Sequence, residues 1–444
     1  MIPVIGFFDL TLATLYLLLI YVGAVVYRNK KIKTNPEYKY FIGALTAKII
    51  GGVGFAVFSI YYYKGGDTFV FFNAADGLSN YLFTDFGKAI DVFFTSGSNI
   101  NLDRYNFSPS YNFILKAEDV LTIVKITSLI NVFCFSSYLT VSIFFALLSF
   151  LGLWFGYSNL CKLYPQSSKY MLIAFFFIPT ALLWSSGILK DTVTQGCIGW
   201  LLYGFSNLFI FKRKLLFSIF AILIVGFIIF FLKPYLLYVL LPCLFIWVQS
   251  KFKNMIKSSF FRAILKPFLI VLLIGVGAGL FQKISDGAGK YSAENMEKTL
   301  GGFHSWHEYL AEKRDQSGYS LGEVEYTPLG VLEKAPAALN VTFFRPYLWQ
   351  ARNVPTLLGA IEGLILLVYF LYLLFTLRIS FFRIIFKNNE ILFLMLFAII
   401  FGVVVGISSY NYGALSRYKI PAVMFFILAL ILIQNMSERK KVLS

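Results

Sequence analysis

Long runs of apolar residues recur from one end of the chain to the other, with short polar segments between them. Most runs approach the roughly 20 residues that a helix needs to cross the hydrocarbon core of a membrane. They are too long and too little alternating for the strands of a β-barrel. The pattern predicts an all-α, polytopic membrane protein with about eleven transmembrane helices. The predicted spans are 5–27, 41–63, 134–160, 170–187, 191–211, 214–232, 235–249, 265–281, 356–377, 391–408 and 418–434.

Short basic clusters between the apolar runs indicate the orientation. Cytoplasmic loops of membrane proteins are enriched in lysine and arginine. A topology with the N-terminus outside and the C-terminus inside places these clusters, at 28–31, 212–214, 251–257 and 439–441, in the cytoplasm. The net charge of +17 and the hydrophobic share of 58% agree with this interpretation rather than with nucleic-acid binding. We therefore expect membrane lipid, and no nucleic acid, among the partners.

Two stretches differ from the simple alternation of spans and loops. Residues 64–133 carry acidic side chains among apolar residues at helical spacing, which predicts amphipathic helices on the outer face. A short span at 120–135 is the alternative, against which Lys125 argues. Residues 282–355 are the only long hydrophilic stretch and are predicted to be an extracytoplasmic loop. The predicted organisation is a transmembrane module at 1–281 that includes the helices at 64–133, the loop at 282–355, and C-terminal transmembrane helices at 356–444.

The cysteine and histidine residues give little indication of a cofactor. The four cysteines are scattered in or beside apolar runs and form no C-x-x-C, so we interpret them as small buried hydrophobic residues. His304 and His307 are the only histidines, and no cysteine accompanies them. We predict no cofactor, and leave open a divalent metal at the site.

Asp67 lies where the second predicted span ends, in the sequence YYYKGGDTFVFFN at 61–73. An acidic side chain is costly inside lipid, so Asp67 is expected to face water or a pocket. Gly65 and Gly66 allow a sharp turn or the close approach of a ligand. We interpret Asp67 as a candidate catalytic base that deprotonates an acceptor hydroxyl. The alternative is an exposed loop acid that follows an ordinary turn.

A second polar cluster joins two predicted spans and ends in Lys190 and Asp191. A helix that begins near Ile188 would direct its free amide groups and the positive end of its dipole toward the outer face. Lys190 adds a cation, and together these groups suit a phosphate or pyrophosphate. The alternative is a turn in which Lys190 and Asp191 pair with each other.

Two further clusters combine arginine with tyrosine. Arg345 and Tyr347 precede the span at 356–377, where they suit a lipid phosphate and a sugar ring; an interfacial aromatic belt is the alternative. Arg417 and Tyr418 lie on the outer side, against the positive-inside trend. An anionic ligand would explain this, and snorkelling toward headgroups is the alternative. We predict that all these clusters converge on one membrane-surface site with Asp67 at its centre.

Two of these segments, GGDTFVF at 65–71 and RYKIP at 417–421, resemble motifs of the GT-C type membrane glycosyltransferases. That family has many spans, an acid in an early extracytoplasmic loop, amphipathic helices after it and, in several branches, an R-Y-x-x-P at the start of a terminal span. The resemblance implies that Asp67 is the base acting on the acceptor. It also implies that Lys190, Arg345 and Arg417 hold the phosphate of a polyprenyl-phosphate-linked sugar donor.

This chain departs from the family pattern at the acid, which follows the second span and has no adjacent aspartate or glutamate. A neighbouring class, the O-antigen or capsule polymerases, therefore stays open; these join lipid-pyrophosphate-linked oligosaccharides and depend more on arginines. The resemblance implies transfer of the sugar to a glycan, lipid or protein acceptor. Heavy use of Phe, Ile and Lys fits a low-GC bacterium, so the expected location is the bacterial inner membrane, with the site facing outside.

The rival interpretation of a different class is a lipid-linked sugar flippase or a transporter. Such a protein needs charges inside its spans and access from both faces. Few charges lie inside the predicted spans, namely Asp9, Lys48 and Glu362. The polar clusters at the outer ends of the spans favour surface chemistry over translocation.

Overall fold

The computed structural model describes residues 2–101, 114–249, 318–322, 328–409 and 411–443. In these ranges the chain is almost entirely helical and contains no strand; an isolated bridge pairs Gly318 with Asn411. The all-α prediction is confirmed for this part of the chain. The predicted span at 265–281 and most of the predicted loop at 282–355 lie outside the described residues.

The helices of the first half are α1 (Phe7–Lys31), α2 (Phe41–Phe58), α3 (Asp67–Thr84), α4 (Phe86–Phe94), α5 (Glu118–Cys134), α6 (Tyr138–Leu163), α7 (Ser168–Phe176), α8 (Pro179–Trp184), α9 (Lys190–Phe205), α10 (Leu215–Leu232) and α11 (Pro234–Gln249). Those of the second half are α12 (Pro328–Phe344), α13 (Val354–Leu377), α14 (Ile379–Lys387), α15 (Asn389–Ser408), α16 (Tyr412–Tyr418) and α17 (Ile420–Leu443). Short π-helical turns continue α2 at Ser59–Tyr63 and α9 at Ser206–Phe211.

Seven helical segments of the described chain are long and apolar enough to cross a membrane. They are Phe7–Lys31, Pro36–Tyr63, Tyr138–Leu163, Leu215–Leu232, Val354–Leu377, Asn389–Ser408 and Ile420–Glu438, and each coincides with a predicted span. Helix α11 is apolar but shorter. The chain is therefore an integral membrane protein with at least these seven candidate spans, and the count of eleven stays a prediction.

The predicted span at 170–187 is not one helix. It forms the short helices α7 and α8, because a residue that precedes a proline is disfavoured in the α-helical conformation and Pro179 follows Phe177 and Ile178. Helix α8 ends at Trp184, and the non-helical segment 185–189 precedes α9. Helix α9 thus begins at Lys190, two residues after the predicted start near Ile188.

The predicted outer-face segment at 64–133 contains helices α3, α4 and α5, with residues 102–113 outside the description. Helix α5 is not among the seven candidate spans. Its Lys125 is half-buried and donates a hydrogen bond of 2.9 Å to the Thr95 carbonyl oxygen. Burial lowers the pKa of Lys125, and the Glu118 carboxylate opposes this shift. The orientation of these helices toward an outer face stays a prediction.

The chain divides into two compact units. Unit 1 comprises residues 1–163, 181–204 and 216–234, and unit 2 comprises residues 164–180, 205–215 and 235–444. In unit 1, α2 packs along α6, and α3 packs along α5. In unit 2, α15 packs against α12 and α17.

Glycines bring α6 and α9 into backbone contact in unit 1. A β-carbon added at Gly152 would lie 2.0 Å from the Gly196 carbonyl oxygen, and one added at Gly199 would lie 2.2 Å from the Gly152 carbonyl oxygen. Small residues allow such close approach of helices in membranes. The contact fixes α9, and with it the position of Lys190 and Asp191, within unit 1.

Candidate functional site

The predicted site residues fall into both units. Asp67, Lys190 and Asp191 belong to unit 1, whereas the arginine–tyrosine pairs Arg345, Tyr347 and Arg417, Tyr418 belong to unit 2. The convergence of all the clusters on one site stays a prediction.

Asp67 is the first residue of α3, and it is exposed. The turn before it contains Gly66 at a φ of +109°, a conformation that favours glycine. The next residue, Thr68, is buried and its hydroxyl lies 2.9 Å from the hydroxyl of Tyr138, the first residue of α6. This hydrogen bond fixes the first turn of α3, so the Asp67 carboxylate is presented to the surface from an anchored helix end.

Lys190 lies close to the same end of α3. Its ammonium group is 2.5 Å from the Asp119 carboxylate, in the first turn of α5, and 5.6 Å from the ring centre of Phe71. Phe71 follows Asp67 by four residues, which places it on the same face of α3 about 6 Å along the axis. An exposed acid, a lysine and a second acid therefore lie near the first turns of α3 in unit 1.

Asp191 pairs with Lys233, and not with its neighbour Lys190. The Asp191 carboxylate lies 2.5 Å from the Lys233 ammonium group, and the two side chains are only 5% and 11% exposed. Lys233 directly follows α10 and precedes Pro234. Because Lys190 and Asp191 each pair with a different helix region, the predicted alternative of a local Lys190–Asp191 pair is not the arrangement in the structure.

The interruption before α9 is held by α2. Lys48 of α2 is fully buried, and its ammonium group donates hydrogen bonds to the carbonyl oxygen and the hydroxyl of Ser185. Gly51 lies so close that an added β-carbon would be 2.3 Å from the Leu182 carbonyl oxygen. The Thr192 hydroxyl donates to the Gly187 carbonyl oxygen at 2.6 Å. These contacts fix the segment that leads into Lys190.

In unit 2, the Arg345 guanidinium lies between two tyrosine rings. The distances to the ring centres are 5.7 Å for Tyr347 and 5.6 Å for Tyr412, and the Arg345 Nε donates to the Gln350 side-chain oxygen at 3.0 Å. Within the described part of the chain, Arg345 has no carboxylate partner. An arginine that is oriented by aromatic rings and has no internal counter-ion is suited to an anion.

The tyrosines are held by the same small network. The Tyr412 hydroxyl donates to Gln350 at 2.9 Å, and burial raises the pKa of Tyr412 to about 12, so this hydroxyl stays protonated at neutral pH. Tyr347 stacks on Trp349 with ring centres 4.9 Å apart, and Trp349 is 81% exposed. The half-buried Arg417 lies 5.9 Å from the ring centre of its neighbour Tyr418.

Among the described residues, no group of three or more His, Cys, Asp and Glu side chains is placed to hold a metal ion. His304 and His307 lie outside those residues. The four cysteines are buried and free, as the sequence predicted.

No family model matches this chain, and no match was found among curated proteins or solved structures. The assignment of a function therefore depends on the geometry and on the resemblance of two short motifs.

Sequence reasoning missed several partners of the predicted residues. Asp119 appears in the sequence only as one of several acids, and its position in the first turn of a helix is the signal that marks it. Lys233 lies between two predicted spans, and no motif marks it as a partner of Asp191. Gln350 and Tyr412, which position Arg345, have no signature in the sequence because their contacts join separate segments.

Proposed function

We propose that this chain is a membrane glycosyltransferase, similar in type to the GT-C enzymes, in a bacterial cytoplasmic membrane. It moves a sugar from a polyprenyl-phosphate-linked donor to a glycan, lipid or protein acceptor at the extracytoplasmic face. The observation that carries the proposal is the arrangement at the start of α3. There an exposed carboxylate, Asp67, lies one helical turn from the residue that Lys190 contacts.

A base and a cation near the same helix end fit inverting sugar transfer. Asp67 takes the proton of the acceptor hydroxyl, whose oxygen attacks the anomeric carbon of the donor. The bond between that carbon and the phosphate oxygen breaks, and its electron pair leaves with the lipid phosphate. Lys190 stabilises the charge that develops on the phosphate. Inversion of the anomeric configuration follows from the single displacement.

Arg345 and Arg417 are the candidates in unit 2 for binding an anionic part of the substrates. Arg345 is better suited to this role than Arg417. Gln350, Tyr347 and Tyr412 orient its guanidinium group, and no described carboxylate neutralises it. These arginines also fit a polymerase that joins lipid-pyrophosphate-linked oligosaccharides. The two enzymes differ in product, since transfer adds one sugar and polymerisation produces a ladder of lengths.

The test is turnover by the purified protein in lipid nanodiscs, with polyprenyl-phosphate sugars as donors and release of polyprenyl phosphate as the readout. We expect Asp67→Asn to abolish release while the protein keeps its thermal stability. The matched control is Asp85→Asn, which removes an exposed acid that is paired with Lys88. Full activity of Asp67→Asn would remove Asp67 from the proposed mechanism, and the absence of donor-dependent release by the wild-type protein would contradict transfer itself.

Charges buried in two candidate spans favour a second candidate, the transport of a lipid-linked sugar. Lys48 and Glu362 lie inside Pro36–Tyr63 and Val354–Leu377 with only 1% and 8% of their surface exposed. Intramembrane charges often mark substrate or ion pathways. The interrupted helix at 185–189 is a further feature that transporters use. Movement of a fluorescent polyprenyl-phosphate sugar across proteoliposomes, in the absence of any acceptor, distinguishes this candidate from transfer.

A further inference from the structure

Glu362 of α13 is a buried carboxylate that is only half satisfied. Its Oε2 accepts two hydrogen bonds from Thr180, one from the backbone amide at 3.1 Å and one from the hydroxyl at 2.7 Å. Its Oε1 is buried and, among the described residues, has no hydrogen-bond partner. An unsatisfied buried polar atom costs free energy, so its presence in a folded protein calls for a partner that the described residues do not supply.

Lys419, directly before α17, is a buried cation that is equally short of partners. It is 1% exposed, and among the described residues its ammonium group donates one hydrogen bond, to the Arg345 carbonyl oxygen at 3.4 Å. An ammonium group has three donors. Glu362 is close enough to Lys419 to act on it electrostatically, yet the two do not form an ion pair in direct contact.

The elements that carry these two residues face each other within unit 2. Gly359 precedes Glu362 by three residues on α13, and Ser416 precedes Lys419 by three residues. A β-carbon added at Gly359 would lie 3.6 Å from the Ser416 hydroxyl and 3.8 Å from both Pro346 and Thr180. Glu362 and Lys419 therefore belong to one buried cluster under the turn that carries Arg345.

A single group that binds at this cluster would have to satisfy a carboxylate oxygen and an ammonium group together. An anion would be repelled by Glu362, and a cation would be repelled by Lys419. A hydroxyl fits both, because its proton is donated to a carboxylate while its oxygen accepts from an ammonium group. We propose that Glu362 and Lys419 form a buried subsite that binds a hydroxyl group of a lipid-linked sugar.

This inference depends on the proposed function for the identity of the ligand, since a sugar is the hydroxyl-rich part of the proposed donor. It adds two residues that the transfer chemistry does not use. A carboxylate and a lysine that bind one hydroxyl would discriminate among sugars by the position of that hydroxyl, because a sugar that lacks it leaves both charges buried and unpaired.

The experiment compares binding of bare polyprenyl phosphate with that of polyprenyl phosphate carrying glucose, galactose or mannose, by the wild-type protein in nanodiscs. We expect at least one hexose lipid to bind about tenfold more tightly than the bare lipid, the gain expected for a hydrogen bond to charged groups. Glu362→Gln and Lys419→Met are each expected to reduce this ratio to near one. Glu390→Gln, an acid at the start of α15 in the same unit, is the matched control and is expected to keep the ratio.

Either of two results would overturn the subsite: a wild-type ratio near one for all three hexose lipids, or variants that keep the wild-type ratio. The structure of the wild-type protein with the tightest hexose lipid gives a readout that does not require the variants to fold. Density for a sugar hydroxyl between Glu362 and Lys419 supports the subsite, and density for water alone there overturns it.

The outcomes also separate this inference from the proposed function. If Glu362→Gln removes the preference for a hexose lipid but no acceptor is ever glycosylated, the subsite is supported and the glycosyltransferase function is contradicted. If the protein transfers sugar and the variants keep the binding ratio, only the proposed subsite is contradicted.

Discussion

The Lys190 ammonium group lies 2.5 Å from the Asp119 carboxylate. The cation that we propose to bind the donor phosphate is therefore already paired with an acid of the protein. The pair is partly exposed, with 18% of the lysine side chain and 40% of the aspartate side chain accessible. A phosphate that binds Lys190 must therefore displace or share this carboxylate. Asp119 competes with the donor in this account.

The first prediction follows from that competition. Asp119→Asn is expected to raise the affinity for polyprenyl phosphate by up to about fivefold, since partly exposed ion pairs contribute up to about 1 kcal/mol. Lys190→Gln is expected to lower the same affinity. Binding to the protein in nanodiscs measures both, and Asp85→Asn, which breaks the exposed pair with Lys88, is the control. Equal affinities for wild type, Asp119→Asn and Lys190→Gln would remove Lys190 from the donor site.

A second prediction concerns the buried pair of Asp191 and Lys233. Asp191→Asn removes the carboxylate charge beside the nearly inaccessible Lys233 ammonium group, and removal of one partner of a buried pair costs about 3–5 kcal/mol. We expect a clear fall in the thermal unfolding temperature in detergent. The double variant Asp191→Asn/Lys233→Met removes both charges and is expected to recover much of the loss. A double variant as unstable as the single variant would show that the pair has a different role.

The third prediction tests the glycine contact between α6 and α9. Gly152→Ala places a β-carbon 2.0 Å from the Gly196 carbonyl oxygen, so the helices must separate. We expect a loss of about 1–3 kcal/mol in stability, as for other overpacked interiors. Gly23→Ala in α1 is the matched control, because no atom lies within 4 Å of the added carbon. It is expected to be neutral or slightly stabilising, and a similar loss in both variants would argue against the close packing of α6 and α9.

The fourth prediction is a pH dependence of stability that Lys419 causes. Burial lowers the pKa of Lys419 in the folded protein, although Glu362 opposes the shift. Between this lowered pKa and the usual lysine value of about 10.4, the unfolded chain binds a proton that the folded protein does not, so stability rises with pH. Below the lowered pKa both states are protonated and the cost of the buried charge is constant.

Unfolding temperatures of wild type and Lys419→Met, measured from neutral pH to pH 10, test this dependence. We expect the unfolding temperature of the wild-type protein to rise relative to that of Lys419→Met as the pH rises, because methionine has no proton to lose. Parallel curves would show that Lys419 does not titrate at a lowered pKa in the folded protein.

The spans themselves were predictable from the sequence, because a long apolar run leaves few structural alternatives in a membrane. The seven candidate spans found in the described part of the chain all coincide with predicted runs. A break between two helices was predicted near Ile188, but its earlier start at Ser185 was not, because residues up to 187 were assigned to the span at 170–187. Lys48 and Gly51 pack against this segment in the folded chain, and these contacts between distant parts of the sequence were not predictable.

The site was predictable only as a set of residue types at the ends of spans. The sequence marks Lys190 and Asp191 but not their partners, since Asp119 and Lys233 lie 71 and 42 residues away along the chain. The orientation of Arg345 by Gln350 and Tyr412 is likewise a product of tertiary packing. Glu362 was noticed as an intramembrane charge, but its unsatisfied oxygen appears only in three dimensions.

The decisive measurement for sugar transfer at Asp67 and Lys190 is the structure of the protein with a bound polyprenyl-phosphate analogue. We expect the phosphate within hydrogen-bond distance of the Lys190 ammonium group, with Asp67 facing the position that an acceptor hydroxyl would occupy. A phosphate bound away from Lys190, with Asp67 in bulk water and remote from it, would contradict the assignment of this site to sugar transfer.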